Sequence, residues 1–245
     1  MHFFLQALVR SELWQGWQIY PNPYLPMIMQ VGSEIDHFAQ MQPEPAYHSK
    51  RHMMDVCLTL SYLLRFENKF SVNDAWAFSK QEKWLLLLGA AMHDLGHPGL
   101  INAFSYELEM KSLALLKALL DRIGTDSDLI DEVLNTLTPW ILATDHGQYS
   151  VLLNRLLSPH PSHTDCLAMI LVESDLVSSV LPNRGPELTR RLTEEWALPY
   201  PDLSNSLANQ SRYLKFLKSL KFTSPYSVTA GIPEILKSTI LKNEN

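Results

Sequence analysis

The residues able to do chemistry lie in three separated stretches. In AAMHDLGHPGLIN, Ala90 to Asn102, an apolar run ends in His93, Asp94 and His97, with Gly96, Pro98 and Gly99 around them. Adjacent residues inside a helix point about 100° apart and rarely meet one target. At a helix end the two glycines let the backbone turn and the proline stops the helix resuming. An imidazole and a neighbouring carboxylate can then converge on one cation. Nitrogen and oxygen donors suit Zn²⁺, Mn²⁺, Fe²⁺ or, more weakly, Mg²⁺. The plainer alternative is a histidine–aspartate pair that only caps a helix. Upstream, YHSKRHMMDV spaces His48 and His52 i, i+4, on one helical face; two such histidines can be a solvated pair, but His52 lies beside the core-type Val56 and Leu60. Downstream, LAMILVESDLVSSVLP sets Asp175 in an apolar helix, where an ionised carboxylate is costly without a cation or donors. The alternative puts Asp175 on a wet edge that Glu173 also marks.

The elements that must position these groups read as helices. Strand alternation and hairpin turns are scarce, whereas helical periodicity recurs. The pattern predicts a first amphipathic helix over MHFFLQALVRSELWQGW, a proline-rich break at Tyr20–Pro26 and a second break at QPEPAY. A helix over about Tyr47–Phe66 follows, then one capped by Ser79 and disrupted at Gly96. Another runs from about Asn102 to Gly124. Asp126 or Ser127 caps the next, with Pro139 inside it as a kink or break. Ser162 caps a helix that Pro182 ends. RGPELTRRLTEEWAL, LANQSRYLKFLKSLKF and a short amphipathic tail complete the chain. His160 and His163 fall in a proline-flanked loop.

With 245 residues, 46% of them hydrophobic, the expectation is a single all-α domain: an extension over 1–45, a core over about 46–222 and a tail over about 223–245. A net charge of −6 argues against a nucleic-acid partner. No segment has the roughly 20 apolar residues that span a bilayer, and the N-terminus lacks a secretory pattern. Cys57 and Cys166 sit in apolar patterns as free thiols, consistent with a reducing, cytoplasmic setting. P-loop and GxGxxG motifs are absent.

The order H…HD…D resembles the ligand order of the HD-domain phosphohydrolase superfamily. More narrowly, YHSKRHMMDV and HDLGHPGLIN resemble the two signature blocks of the class I 3′,5′-cyclic nucleotide phosphodiesterases, Y-H-N-x-x-H-x-x-D-V and H-D-x-x-H-x-G-x-x-N. Tyr47, His48, His52, Asp55 and Val56 match the first, with Ser49 replacing asparagine; His93, Asp94, His97, Gly99 and Asn102 match the second. ILATD, ending at Asp145, and SDLVSSVLP, carrying Asp175, are similar to two later family segments. The resemblance spans roughly Tyr47 to Phe222. It implies that two divalent metal ions (Zn, Mn, Fe or Mg) are bound, that His52, His93, Asp94 and Asp175 hold the tighter one, and that Asp94 bridges to the second. It also implies His97 in the second metal's water shell, Asp55 in support of the first-block histidines, and His48 as general acid. A metal-bridging hydroxide would open a 3′,5′-cyclic nucleotide, a small-molecule substrate, to the 5′-monophosphate.

The sequence departs from the family in two places. The S-V-L-E-x-H-H block is absent; Glu107, Glu109 and Ser112 lie near its position with no histidine before His146. His146 itself follows Asp145 directly, out of register, and reads as a surface or capping residue. For the family's base-reading glutamine and phenylalanine the resemblance offers Gln210, with Tyr213 in place of the phenylalanine; the alternative is an amphipathic helix with Tyr213, Leu214, Leu217 and Leu220 on its apolar face. Arg212, Lys215, Lys218 and Lys221 read as a solvated face. The missing block keeps open a phosphohydrolase of nucleoside monophosphates or other esters. A lapsed nucleotide-binding or regulatory module is the third reading. Oligomeric state is open.

Overall fold

The computed structural model describes residues 1–67, 74–158 and 160–244, and among these the chain is helical without strands. In order the helices are α1 (His2–Val9), α2 (Glu12–Gly16), α3 (Tyr24–Met41), α4 (Lys50–Leu64), α5 (Lys80–Met92), α6 (Glu107–Arg122) and α7 (Ser127–Leu142). They continue as α8 (Tyr149–Leu156), α9 (His163–Val180), α10 (Arg184–Trp196), α11 (Pro201–Leu207), α12 (Gln210–Ser219), α13 (Pro225–Thr229) and α14 (Ile232–Glu244). Asn245, the end of the expected tail, lies outside the described residues.

Two helices form the centre because they are apolar all round. α9 buries every residue from Cys166 to Ser174, and α5 buries every residue from Lys83 to Met92. A helix with no polar face must be covered on all sides. α9 is accordingly packed by α4, α5, α7, α8, α10 and α14, and α5 also by α3, α4 and α7. Caps set their starts. Ser79 and Glu82 form a reciprocal capping box on α5, and the Ser162 side chain accepts from Asp165 N on α9. α5 stops at His93 because Gly96 takes a left-handed φ of 70°; a Cβ there would meet Leu115 Cδ1 at 2.4 Å.

Several boundaries differ from expectation. The first helix splits into α1 and α2 at Arg10–Ser11. The stretch after the proline-rich segment is α3, an 18-residue helix that was not anticipated; Pro26 sits in its first turn, where the missing N–H costs little. α4 starts at Lys50, not Tyr47, which takes His48 off the helix. α6 starts at Glu107 rather than Asn102, after a left-handed Tyr106. α7 runs through Pro139 to Leu142. The α11–α12 run breaks at Ala208–Asn209, where the Asn209 side chain caps α12. His163 is the first residue of α9, bonded to Ala75 O (2.8 Å) and Glu82 Oε1 (2.6 Å), not a loop residue.

Glu173 corrects another expectation: it is fully buried, not on a wet edge. Its carboxylate gathers the α12–α13 connection, accepting from Thr223 N (2.6 Å), Ser224 N (3.0 Å), Ser227 Oγ (2.6 Å) and Ser224 Oγ. Burial raises its pKa, and these donors offset the shift only in part. Glu173→Ala leaves those donors without an acceptor in the core. Unfolding free energy is expected to drop by about 3 kcal/mol or more. A urea titration showing a loss below about 1 kcal/mol would contradict this anchoring role.

Candidate active site

Four side chains from three helices meet at the bottom of a cleft. His52 comes from the first turn of α4, His93 and Asp94 from the end of α5, and Asp175 from α9. His52 Nε2 lies 3.0 Å from Asp175 Oδ1 and 3.4 Å from Asp94 Oδ2. His93 Nε2 lies 3.1 Å from Asp94 Oδ2 and 3.9 Å from Asp175 Oδ1. Ligands about 2.0–2.2 Å from a tetrahedral cation sit roughly 3.3–3.6 Å from one another; His52, His93 and Asp94 each bring a ligand-type atom within 4.8 Å of the others, and Asp175 Oδ1 reaches the two imidazoles, so these residues fit a metal.

The hydrogen bonding fits as well. His93 Nδ1 donates to Ala90 O at 3.1 Å, which places the neutral ring's lone pair on Nε2. That Nε2 is buried without a hydrogen bond, and so is Asp175 Oδ1. Unmatched buried acceptors converging on one point are costly unless a cation joins them. The electrostatics agree. Burial depresses the imidazolium of His52, but Asp175 and Asp94 outweigh it and raise the pKa to about 10. Burial raises both carboxylates, yet the facing histidines hold Asp94 well below, and Asp175 below, the usual range. The pocket attracts positive charge.

Beside this cluster stands a second histidine pair. The rings of His48 and His97 stack with centroids 3.7 Å apart. His48 precedes α4, so helical periodicity does not aim it; Glu195 of α10 does. Glu195 Oε2 accepts from the backbone N–H of Tyr47 (2.7 Å) and of His48 (3.0 Å), and Oε1 accepts from His48 Nδ1 (2.5 Å). Burial raises the Glu195 carboxyl, but the bond from His48 outweighs it and lowers the pKa. Gly99 makes room: its φ is 75°, and a Cβ would lie 3.0 Å from Glu195 Cγ. With Nδ1 committed, the other nitrogen of His48 serves the cleft. His97 Nδ1 accepts from Gly99 N at 3.1 Å, and burial together with the charge of His48 lowers its pKa to about 4. His97 is therefore a neutral Nε2–H donor. His48, His97 and Glu195 also bring ligand-type atoms within 4.8 Å of one another.

The cleft encloses about 890 Å³ and is also lined by Asn102, Phe104, Glu109, Asp145, Gln148, Trp196, Arg212 and Phe216. Asn102 ties the second motif to α6: Oδ1 accepts from Leu108 N (2.8 Å) and Nδ2 donates to Glu109 Oε2 (2.9 Å). Burial, then Asp145 and Asp94, raise the Glu109 pKa despite that bond. Asp145 accepts from Gly147 N (2.9 Å) and Tyr106 N (3.0 Å). The stretch without the family's histidine block thus still supplies a carboxylate to the wall.

Three expected residues stand elsewhere. Gln210 is exposed and donates to Asn243 O at 3.3 Å; on α12 it lies about 160° from Arg212, turned away from the cleft wall. Tyr213 reaches the wall but is 6% exposed, with its hydroxyl donating to Ser179 O at 3.0 Å. Asp55 pairs with Arg184 rather than with a first-block histidine, fastening α4 to α10. His146 is exposed at the cleft, its ring 5.9 Å from that of Phe216. Glu195 and Phe216 were not found from the sequence. Nothing local marks Glu195, since it contacts His48 across 147 residues.

A family model of the 3′5′-cyclic nucleotide phosphodiesterases matches residues 47–197. The chain belongs to this family. This phosphodiesterase is accordingly a hydrolase. Its fold is similar to that of LmjPDEB1 in complex with IBMX, at 16% identity over 95% of this chain and 90% of that one, with a TM-score of 0.66. It is also similar to the phosphodiesterase domain of the rhodopsin phosphodiesterase of Salpingoeca rosetta, at 17% identity, 98% and 93% coverage and a TM-score of 0.66. A further structure of that domain, from the RhoPDE fusion protein of the choanoflagellate, gives 16% identity, 98% and 96% coverage and 0.62. No curated protein matches the sequence. No helix among the described residues of the phosphodiesterase is long and apolar enough to cross a membrane.

Proposed function

We propose that this phosphodiesterase hydrolyses a 3′,5′-cyclic nucleotide to the 5′-monophosphate. The observation that carries the reading is the convergence of four ligand-type atoms, two of them buried without hydrogen bonds, beside a histidine held by a buried glutamate. His52, His93, Asp94 and Asp175 would hold one divalent cation. Asp94 would share a second with the wall carrying Glu109 and Asp145, and His97 would donate to its water shell. Bound cations supply Lewis-acid charge against the phosphoryl oxygens and acidify water.

The chain's own groups do the rest. His48 gives a proton from Nε2 to the departing ribose oxygen, and Glu195 holds the ring in that tautomer and stabilises its charged form. The carboxylates of Asp94 and Asp175 stay ionised for ligation. Ile101, Leu108 and Phe216 give the cleft an apolar side that excludes water from the nucleoside.

Metal-free protein reloaded separately with Mg²⁺, Mn²⁺, Zn²⁺ and Fe²⁺, then offered cyclic and linear nucleotides, tests this. At least one metal is expected to raise the melting temperature and to switch on 3′,5′-cyclic nucleotide hydrolysis. Release of phosphate from linear monophosphates alone would move the assignment to a phosphomonoesterase. Metal binding with no turnover on any substrate would leave a nucleotide-binding module.

A further inference from the structure

The helix α12 presents one stripe to the cleft: Arg212, Lys215, Phe216 and Ser219, which helical rotation gathers within an arc of about 100°. Arg212 and Lys215 are the only arginine and lysine among the described residues that line the cleft, and no ion pair engages either. Arg212 donates from Nη1 to the neutral Ser206 Oγ at 2.9 Å. Nearby cations are neutralised: Arg184 by Asp55 and Glu187, Arg190 by Glu194, Arg191 by Glu187, Lys218 by Glu244. The two cations that line the cleft, both without an ion pair, thus share one face of α12 in a chain of net charge −6.

Their place is tied to the reacting centre. Tyr213, between them on α12, bonds through its hydroxyl to Ser179 O. Ser179 follows Asp175 by four residues on α9, about 6 Å along the axis. One substrate can therefore lie across both. The cleft, at about 890 Å³, is near the upper end of ligand sites, which run to about 1,000 Å³. The indole Nε1–H of Trp196, which also lines the cleft, is buried without a partner. Two cationic side chains without a carboxylate partner and an indole N–H without an acceptor, all lining the cleft, describe a surface for anionic oxygen.

We propose that the cleft accepts a phosphodiester carrying a second phosphate, a dinucleotide by class, and that Arg212 and Lys215 bind that second phosphate. The inference rests on the phosphodiesterase reading above. The bond cleaved remains the P–O bond at the histidine–aspartate cluster; the second phosphate is held and not cleaved.

Cyclic di-AMP and cyclic AMP share base and sugar and differ in the second phosphate-bearing half, so they serve as paired probes. Calorimetric titration of metal-free protein is expected to show cyclic di-AMP binding at least about tenfold tighter than cyclic AMP, with the gap closing in the Arg212→Ala/Lys215→Ala protein. In metal-loaded enzyme the ratio of kcat/KM for the two substrates should fall by about tenfold or more in the same variant, and Lys215→Arg should restore much of it. Equal binding of the two probes by wild-type protein, or a gap that survives the double substitution, overturns the inference. A binding gap without turnover by any metal-loaded form removes the catalytic reading and leaves the second-phosphate site standing.

Discussion

Asp94→Ala and His93→Ala proteins are expected to emerge from purification without stoichiometric metal and to hydrolyse nothing above background. The argument is geometric. Asp94 Oδ2 stands within 3.4 Å of both His52 Nε2 and His93 Nε2, so it sits at the centre of the ligand set and not at its margin. Its removal takes away one of the two carboxylates, Asp175 being the other and the stronger, that raise the His52 pKa, and one of the atoms a second cation would share. His93 contributes a nitrogen whose lone pair has no other use, because Nδ1 is spent on Ala90 O. With a ligand gone the remaining donors no longer complete a four-coordinate site. The fall in kcat/KM should exceed about 10³-fold, since the cations supply most of the charge stabilisation in this class of reaction. Elemental analysis after dialysis is the decisive readout, with circular dichroism to confirm helical content. Asp175→Asn keeps side-chain volume and should lose metal as well. Wild-type metal content in all three proteins would remove the proposed centre.

His48→Ala should behave differently: metal retained, kcat reduced by about 10²–10⁴-fold. The distinction follows from the structure, in which His48 stacks on His97 and bonds to Glu195 while the four ligand-type atoms are complete without it. A substrate with a p-nitrophenolate leaving group needs little protonation, so on it the same variant should lose far less. Glu195→Gln preserves the shape but weakens the charge-assisted bond to His48 Nδ1. It is expected to cost about 10- to 100-fold in kcat and to move the alkaline limb of the pH–rate profile, where the protonated acid is lost, to lower pH. An equal loss on both leaving groups would show that His48 acts by shape or metal retention and not as the acid.

Much of this centre was legible because its determinants are local. His93 and Asp94 are neighbours, and the residues that end the helix under them are Gly96, Pro98 and Gly99 in the same short stretch. His52 and Asp175 stood out as polar residues in helical patterns that were otherwise apolar. The caps Ser79 and Ser162 were readable, and the third was narrowed to Asp126 or Ser127, of which the structure uses Asp126, because a cap is a contact over three residues. Helix ends were less readable. Pro26 looked like a breaker, yet in a first turn it breaks nothing. His48 appeared to share a helical face with His52, yet the helix begins after it.

What the sequence alone determined is an all-helical chain that carries, in the order of the family's motifs, imidazoles and carboxylates of the kinds that can ligate a cation. What tertiary structure alone decided is which groups aim those residues and which face of each late helix meets the cleft. Glu195 orients His48 from 147 positions away, and α12 turns Phe216, Arg212 and Lys215 inward and Gln210 outward because Tyr213 and Leu217 are buried in the core. The physical reason is the range of the forces. Helix termination and capping act over a few residues and leave a trace in composition, whereas the rotation of a helix about its axis is set by the surface it packs on, which its own residues do not spell out.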